Sequence, residues 1–537
     1  MKDDTRLAYV VWRPGKEGRY PTLFIYNEYD ASGLSFKKSK EFLEAGYAVL
    51  GVNARGTGCS EGDGYSFLDP QEAPDGAEVV EWAAAQPWSD GNVGMFGGSN
   101  GGMSQLAVAA LRPAHLKAIA PTAIAASLYR EEGATAGGMI HLGHAASWTF
   151  DLQPNAARIG VDARMQGGDT ECASIRARRP VETNFYNDVL AHPLQDQWWE
   201  QRALENSVHK VQVPTLIQQT WQDPWDMPDG ALRLFELLKS DHKWLVIQNG
   251  GHGDASSTPR LIRWFDRWVK GERNGVENEL PVLVNWEHGG AGSSGWSTSY
   301  AGWPVPGMQR QPFYLTAAGE LTREAGPASA QEGIRTYVYP MGTELVGSNE
   351  QFALAPLSLG SLSYQTPVMS EDLALLGTPI LTFHFSSDRS ETDFLFTLKD
   401  IDSGGNTLFL QRAYLRASLR AIDPNRTTSD YIAHSFRRYE KLVPGKIYEI
   451  KLSLGAIGHV VRKGHRLQLS ILAPNNIPSP VMGSVPSGGP AVNKVHHSVQ
   501  YRSMLSLPVV PGEHARAPAP ECGSLPMQPC RPAASDE

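Results

Sequence analysis

Val93-Gly94-Met95-Phe96-Gly97-Gly98-Ser99-Asn100-Gly101-Gly102-Met103 is the stretch whose reading decides the fold. An apolar run ends at Phe96, glycines flank a single serine, and a helix-compatible run from Met103 to Leu111 follows. This order of strand, sharp turn and helix, with the serine at the apex, fits Gly-x-Ser-x-Gly. In that motif small residues let the backbone turn tightly enough to present one hydroxyl at the rim of a sheet. The same spacing also occurs in Gly-rich packing loops; the strand before it and the helix after it favour a nucleophile here.

Working outward, Val10–Trp12, Leu23–Tyr26, Ala48–Val52 and Val93–Phe96 read as short strands, and Phe36–Ala45, Asp75–Ala85 and Met103–Leu111 as helices between them. Such alternation predicts an α/β domain with a mainly parallel sheet covered on both faces. From Pro121 to Val211 the strand signal fades into Ala, Trp, Arg and Gln, which predicts an inserted helical cap. Two further units follow: strand Pro214–Thr220 with helix Ala231–Lys239, and strand Trp244–Gln248 with helix Arg260–Val269. All 14 tryptophans lie at or before Trp303. Beyond Gly307 the chain shows period-2 alternation, as in Arg466-Leu467-Gln468-Leu469-Ser470-Ile471, Ile380–Phe385 and Phe394–Leu398. Many turn residues separate these runs, which predicts a β-sandwich of jelly-roll type. The expected division is 1–120 and 212–306 for the α/β domain, 121–211 for the cap, 307–514 for the jelly roll and 515–537 for a mobile Pro-rich tail.

The chain has 537 residues, more than one core accommodates, and its 41% hydrophobic and 20% charged residues are those of a globular protein. Acidic residues outnumber basic ones, 57 to 48, for a net charge of −9, which argues against nucleic acid as a partner. No run approaches the length of a membrane span, so none is predicted, and no cationic segment followed by an apolar run is visible as a signal peptide in this sequence. Cys59, Cys172, Cys522 and Cys530 do not form a disulfide-scaffold pattern, and no pair has metal-ligand spacing. Cys522 and Cys530 could close a small loop in the tail, and a bridge there would hint at export.

A serine hydroxyl is a weak nucleophile and needs a base, which in turn needs a group to hold its tautomer. In this topology the chain order is serine, acid, histidine, each in a loop at the carboxyl end of a strand. After Pro214–Thr220 come Asp223, Asp226 and Asp229; Asp223 lies closest to the strand end and is the expected acid, with Asp226 second. After Trp244–Gln248 comes Asn249-Gly250-Gly251-His252-Gly253-Asp254, so His252 is the expected base. Asp241, His209 and His242 precede strands and fall at the wrong edge. The oxyanion of an acyl-transfer intermediate needs two donors. The main-chain N–H of Asn100 supplies one. The loop Asn27-Glu28-Tyr29-Asp30 has no glycine run; the Tyr29 hydroxyl is a candidate for the other, and spacing alone serves core or rim packing of Tyr29 equally well.

At this point the chain resembles the cocaine esterase-like (CocE/NonD) serine hydrolases, relatives of the X-prolyl dipeptidyl peptidases and α-amino-acid ester hydrolases. The resemblance spans nearly the whole chain. It is carried by Met1–Leu7, similar to the family's first strand, and by Arg55-Gly56-Thr57-Gly58-Cys59-Ser60-Glu61-Gly62. Gln86-Pro87-Trp88-Ser89-Asp90-Gly91-Asn92-Val93-Gly94 and Phe265-Asp266-Arg267-Trp268 carry it further. It implies an α/β-hydrolase core with an inserted helical cap and a C-terminal jelly roll, with Ser99, Asp223 and His252 as the triad. It also implies Tyr29 as an oxyanion donor, through Tyr29-Asp30. Asn100 departs from the tyrosine usual after the serine, which keeps the main-chain donor and changes the pocket wall.

The expected activity is hydrolysis of carboxylic esters, with amides as a further class, without cofactor or metal. One alternative is an α-amino-acid ester hydrolase or X-prolyl dipeptidyl peptidase, with Asp226 or Asp229 receiving a substrate ammonium. Another is a non-catalytic carbohydrate- or polymer-binding protein, in which the jelly roll binds. Trp148, Phe150, Trp198, Trp199 and Trp225 are candidates to line an acyl or aryl pocket, against the reading that they are core. His141 and His144 share a spacing for one helix face but lack a third ligand, so cap packing is expected for them. Gly56-Thr57-Gly58-Cys59-Ser60-Glu61-Gly62 does not have dinucleotide-loop spacing. The partner is a small molecule; the sequence specifies neither compartment nor oligomeric state, and a homodimer is compatible with it.

Overall fold

A computed structural model describes residues 1–179, 183–289, 295–325, 333–340, 359–474 and 489–532. Its first sheet is built from β1 (Tyr9–Trp12), β2 (Tyr20–Asn27), β3 (Ala48–Asn53), β4 (Ser89–Gly98) and β5 (Leu116–Thr122). It is completed by β6 (Thr215–Thr220), β7 (Lys243–Gln248), β8 (Val282–Trp286) and β9 (Trp296–Tyr300). The strand order is β1-β3-β2-β4-β5-β6-β7-β8-β9. β1 and β9 run antiparallel at the two edges, and every pairing between them is parallel. β3 and β6 are buried along their whole length, as inner strands of a parallel sheet covered on both faces are, although β6 is polar at Thr215, Gln218, Gln219 and Thr220.

Helices cover both faces. α1 (Phe36–Glu44) is capped by Ser35, whose hydroxyl accepts from the Lys38 N–H. It shares one face with α10 (Thr258–Trp268), whose Leu261, Trp264, Phe265 and Trp268 recur at helical spacing. Phe265 lies so close to Gly94 of β4 that a Cβ there would sit 2.9 Å from its ring, so only glycine lets α10 reach the sheet. α2 (Glu72–Ala84), α3 (Asn100–Ala110) and α9 (Pro228–Leu237) cover the other face. The buried Asp75 of α2 receives Arg55 in a bidentate pair, Nε–Oδ2 2.7 Å and Nη2–Oδ1 2.8 Å, which anchors the 55–62 loop.

Between β5 and β6 the chain forms α4 (Leu142–Ser147), α5 (Gln153–Gln166), α6 (Thr170–Arg178), α7 (Phe185–Ala191) and the short α8 (Gln197–Glu200). Beyond β9 two antiparallel sheets, of nine and five strands among the described residues, stack face to face. Phe383 and Phe385 from the strand Ile380–Ser387 meet Phe394 and Phe396 from the strand Asp393–Ile401, ring to edge at 4.9–5.4 Å. Each pair sits two residues apart, as inward positions of a strand do.

Three sequence expectations need correction. Met1–Leu7 is not a strand; pairing begins at Tyr9. The tail expected to be mobile is packed through Arg531. Leu525 is 4% and Gln528 1% exposed, Cys530–Arg531 adds a strand to the five-stranded sheet, and Cys522–Cys530 is a disulfide. Proline richness signalled an absence of helix, and side-chain anchoring was not visible in composition. A second bridge, Cys59–Cys172, was not anticipated because its cysteines stand 113 residues apart. It ties the 55–62 loop to α6, beside Arg179, which donates to the carbonyls of Ser60 (2.6 Å) and Gly58 (2.5 Å). Closing so long a loop restricts the unfolded chain. The Cys59→Ser/Cys172→Ser variant is therefore expected to lose about 2–5 kcal/mol, read as a lower midpoint of thermal unfolding. An unchanged midpoint would show that the bridge constrains nothing.

Candidate active site

Ser99 stands between β4 and α3 at φ 59° and ψ −133°, a backbone conformation few non-glycine residues adopt. Its N–H donates to the Thr122 carbonyl (3.0 Å), and its carbonyl accepts from the N–H of Gly102 (2.8 Å) and Met103 (2.9 Å). A Cβ on Gly102 would lie 2.6 Å from the Thr122 oxygen, so this glycine, one residue past the motif, is what lets α3 leave the elbow alongside β5. The Asn100 N–H opens that helix.

Asp223 lies just past β6 and is buried. Its Oδ1 accepts from the N–H groups of Trp225 (2.9 Å) and Asp226 (3.1 Å), and its two oxygens lie 3.1 and 3.0 Å from His252 Nδ1. That contact assigns the imidazole proton to Nδ1 and leaves Nε2 as the basic nitrogen. His252 follows β7 in a loop turned by Gly250 at φ +141°, and 30% of its side chain is exposed. Burial works against its protonation, but the charge and hydrogen bond of Asp223, with Asp226 and Glu132 beyond, raise its pKa to about 9. Asp226 Oδ2 sits farther from Nδ1, at 3.8 Å. Burial, together with the charges of Asp223, Glu132 and Glu131, pushes the Asp226 carboxyl well above the usual range, against the pull of His252. Asp229 is turned away: its carboxylate accepts from Thr378 Oγ1 (2.6 Å) and the Ala456 N–H (3.0 Å), joining α9 to the jelly roll.

Tyr29 follows β2. Its hydroxyl accepts from Trp148 Nε1 at 2.9 Å and bears on the Ser99 side chain. Burial and the neighbouring Glu28 hold the phenol well above its ordinary pKa, so it stays a proton donor. Of the five candidate pocket aromatics, the structure brings Trp148 to Tyr29, and Trp225 to within 6.4 Å of the His252 ring, centroid to centroid. Trp198 stacks on His192 and Arg202, and Trp199 is buried against Tyr129; both are packing residues of the cap. Phe150 is 67% exposed and stands against Tyr186. His144 Nε2 lies 2.6 Å from Glu132, and His141 Nε2 lies 3.1 Å from the Ala136 carbonyl. Among the described residues no cluster of three or more His, Cys, Asp or Glu could hold a metal, and no helix is long and apolar enough to cross a membrane.

Sequence reasoning missed what holds these loops. The Gln222 amide donates to the Leu410 carbonyl (3.4 Å) and accepts from the Gly250 N–H (3.2 Å), so one side chain links the acid loop, the histidine loop and the jelly roll. From the jelly-roll strand Thr407–Arg416, Gln411 donates to the Trp221 carbonyl (2.6 Å), and buried Arg412 reaches the Asp223 carbonyl (3.4 Å). Gln528 of the tail bonds Asn249 on one side and the Phe409 carbonyl (3.0 Å) on the other. None of these has a sequence signature, because each acts across more than a hundred residues or through a neutral amide.

Two sequence profiles cover most of the chain: X-Pro dipeptidyl-peptidase (S15 family) over residues 3–254, and the X-Pro dipeptidyl-peptidase C-terminal non-catalytic domain over residues 274–505. The cocaine esterase of Rhodococcus sp. (strain MB1 Bresler) is 26% identical over 95% of this chain and 97% of its own length. A putative Xaa-Pro dipeptidyl-peptidase of Rhodopirellula baltica is 25% identical over 89% of this chain and 75% of its own. A CocE/NonD family hydrolase from Staphylococcus aureus superposes with a TM-score of 0.77 at 22% identity, over 95% of this chain and 92% of that one, which shows the same fold. The chain belongs to the cocaine esterase-like (CocE/NonD) serine hydrolases, which share their two domains with the X-Pro dipeptidyl-peptidases.

Proposed function

We propose that this chain hydrolyses carboxylic esters, with amides as a further class, through an acyl-enzyme formed on Ser99. The observation that carries the reading is the Asp223–His252 pair at the ends of β6 and β7, on the same rim of the sheet as the Ser99 elbow at the end of β4. His252 Nε2 takes the proton of Ser99 as its oxygen attacks the carbonyl carbon, while Asp223 holds the Nδ1 proton and stabilises the imidazolium. The Asn100 N–H and the Tyr29 hydroxyl receive the oxyanion. His252 then protonates the leaving alcohol, and water, activated by the same imidazole, releases the acid. No cofactor enters these steps.

Ser99→Ala is expected to lower kcat by about 10⁶-fold and to abolish labelling by a fluorophosphonate. A folded variant that keeps ester hydrolysis would remove the assignment. The same experiment separates catalysis from a purely polymer-binding role, since a binding protein would not be labelled at all.

The pH dependence has a definite sign. A base with a pKa raised to about 9 stays protonated, and so inactive, over pH values at which an ordinary histidine is already free. kcat/KM is therefore expected to rise with pH along a limb centred above the ordinary histidine value of about 6.5. A pH–rate profile with its midpoint at or below that value would contradict the geometry around Nδ1.

A second reading, that the acyl group carries a free α-amine, is favoured by the buried carboxyls of Asp226 and Glu132 beside the histidine. Paired substrates that differ only in the α-amino group decide it. A rate advantage of about tenfold or more for the amine supports this reading, which matches about 1.4 kcal/mol of recognition. Equal rates discard it.

A further inference from the structure

Beneath the elbow lies a set of polar groups for which the mechanism above has no use. Glu28, next to Tyr29, has a fully buried carboxyl. Glu72, in the first turn of α2, is buried a short distance away. The side-chain amide of Asn100 lies between them. Carboxyl oxygens of the two glutamates are its neighbours on one side, which orients the amide with its nitrogen toward them. That nitrogen is 2.6 Å from Glu28 Oε2 and 3.2 Å from Glu72 Oε1, and the amide oxygen accepts from the Tyr65 hydroxyl at 2.5 Å. The Tyr65 hydroxyl also lies 2.9 Å from Glu72 Oε2, so a single proton faces two acceptors. Glu28 Oε1 is buried with no hydrogen-bond partner.

The inventory of protons is short. The amide supplies two, Tyr65 one and the Tyr29 hydroxyl, which Glu28 shares with Ser99, one, against four carboxyl oxygens and the amide oxygen. Among the described residues no arginine or lysine is paired with either glutamate; the guanidinium that reaches α2 from the 55–62 loop, that of Arg55, is committed to Asp75 and Asp3. Two carboxylates bridged by one neutral amide in a dry interior cannot both be ionised cheaply, so the pair holds a proton. Burial pushes Glu28 well up and Glu72 up to about 8, in the same direction.

We propose that Glu28 is a positioning residue of the oxyanion hole, which with Glu72 clamps the Asn100 side chain and shares one proton with it, and so fixes both donors that flank Ser99. The first donor is the main-chain N–H of Asn100, whose position follows the clamped side chain. The second is the Tyr29 hydroxyl, which stands between the Glu28 carboxyl and Ser99. While Glu28 keeps its proton, the Tyr29 hydroxyl has no carboxylate to turn to, accepts from Trp148 and gives its hydrogen to the substrate oxygen. Once Glu28 ionises, it competes for that hydrogen and the hole loses a donor. The titratable groups that face Glu28 are Glu72 from α2, Tyr29 beside it, and, at longer range, Asp226 from the acid loop. Tyr65, Asp69 and Asp75 act on it through Glu72.

The inference rests on the proposed roles of Ser99, Tyr29 and Asn100, and its test is arranged to tell the two apart. In the full chain, with an ester substrate, Glu28→Ala is expected to lower kcat by about 30-fold with KM changed by less than about threefold, a part of the 10²–10³ that loss of an oxyanion donor costs. Glu28→Gln, which mimics the protonated acid but cannot ionise, is expected to restore kcat to within about tenfold of the parent and to erase the fall of kcat on the alkaline side of the pH profile. A purely structural role would leave that limb in place. If Glu28→Ala does not fold, Glu28→Gln decides alone: a larger loss of kcat, or an unchanged alkaline limb, overturns the proposal. If Ser99→Ala stays active, the reading of the site fails and this inference with it. If Ser99→Ala is dead while Glu28→Ala keeps the parent kcat, only the role of Glu28 falls.

Discussion

The left-handed backbone at Ser99 is the constraint from which the rest of the site follows. A non-glycine residue at φ 59° and ψ −133° costs on the order of 1–3 kcal/mol and persists only where its surroundings over-determine it. Here they do. Ser99 is bonded to Thr122 of the neighbouring strand and to the first turn of α3, and Gly102 leaves the space that β5 needs. The turn sets the Ser99 side chain at the carboxyl end of β4 with the first N–H of α3, that of Asn100, directly after it in the chain. Every other functional group is placed relative to that point by the carboxyl ends of β2, β6 and β7.

Strand ends set the approximate position of a loop, and the jelly roll sets it finely. Neutral amides, Gln222, Gln411 and Gln528, do most of this work: Gln222 and Gln411 join main-chain groups of the acid and histidine loops to the strand Thr407–Arg416, and Gln528 joins the Asn249 side chain to the same strand. Amides suit the task because they fix direction without adding charge beside His252, whose pKa already depends on Asp223 and Asp226. The second domain is therefore structurally part of the site, although none of its side chains is assigned a chemical step.

The electrostatics divide into two compartments. Around His252 the carboxyls raise the basicity of the ring. Under the elbow, Glu28 and Glu72 have only an amide and a phenol for company, and burial favours their neutral forms. Tyr29 lies between the two, with Trp148 of the cap holding its oxygen. The cap thus contributes to the site the Trp148 indole N–H and the charges of Glu131 and Glu132, while Trp198 and Trp199 stabilise the cap itself.

The amino-acid sequence by itself determined the order of strands and helices and the elbow, and it singled out Asp223, ahead of Asp226, and His252, which the fold brings within hydrogen-bonding reach of each other. Periodicity, glycine placement and chain order are local or topological properties, and strand ends in a parallel sheet leave few places for a partner of Ser99. It also marked Tyr29, though only with the help of the family resemblance. Tertiary structure alone decided that Asp229 serves the jelly roll, that Cys59 meets Cys172, that the Pro-rich tail is an anchor beside the histidine loop, and that Glu28 and Glu72 close on Asn100. Those pairings join residues distant in the chain through contacts that impose no period and no spacing, so they exist only once the fold brings them within hydrogen-bonding reach.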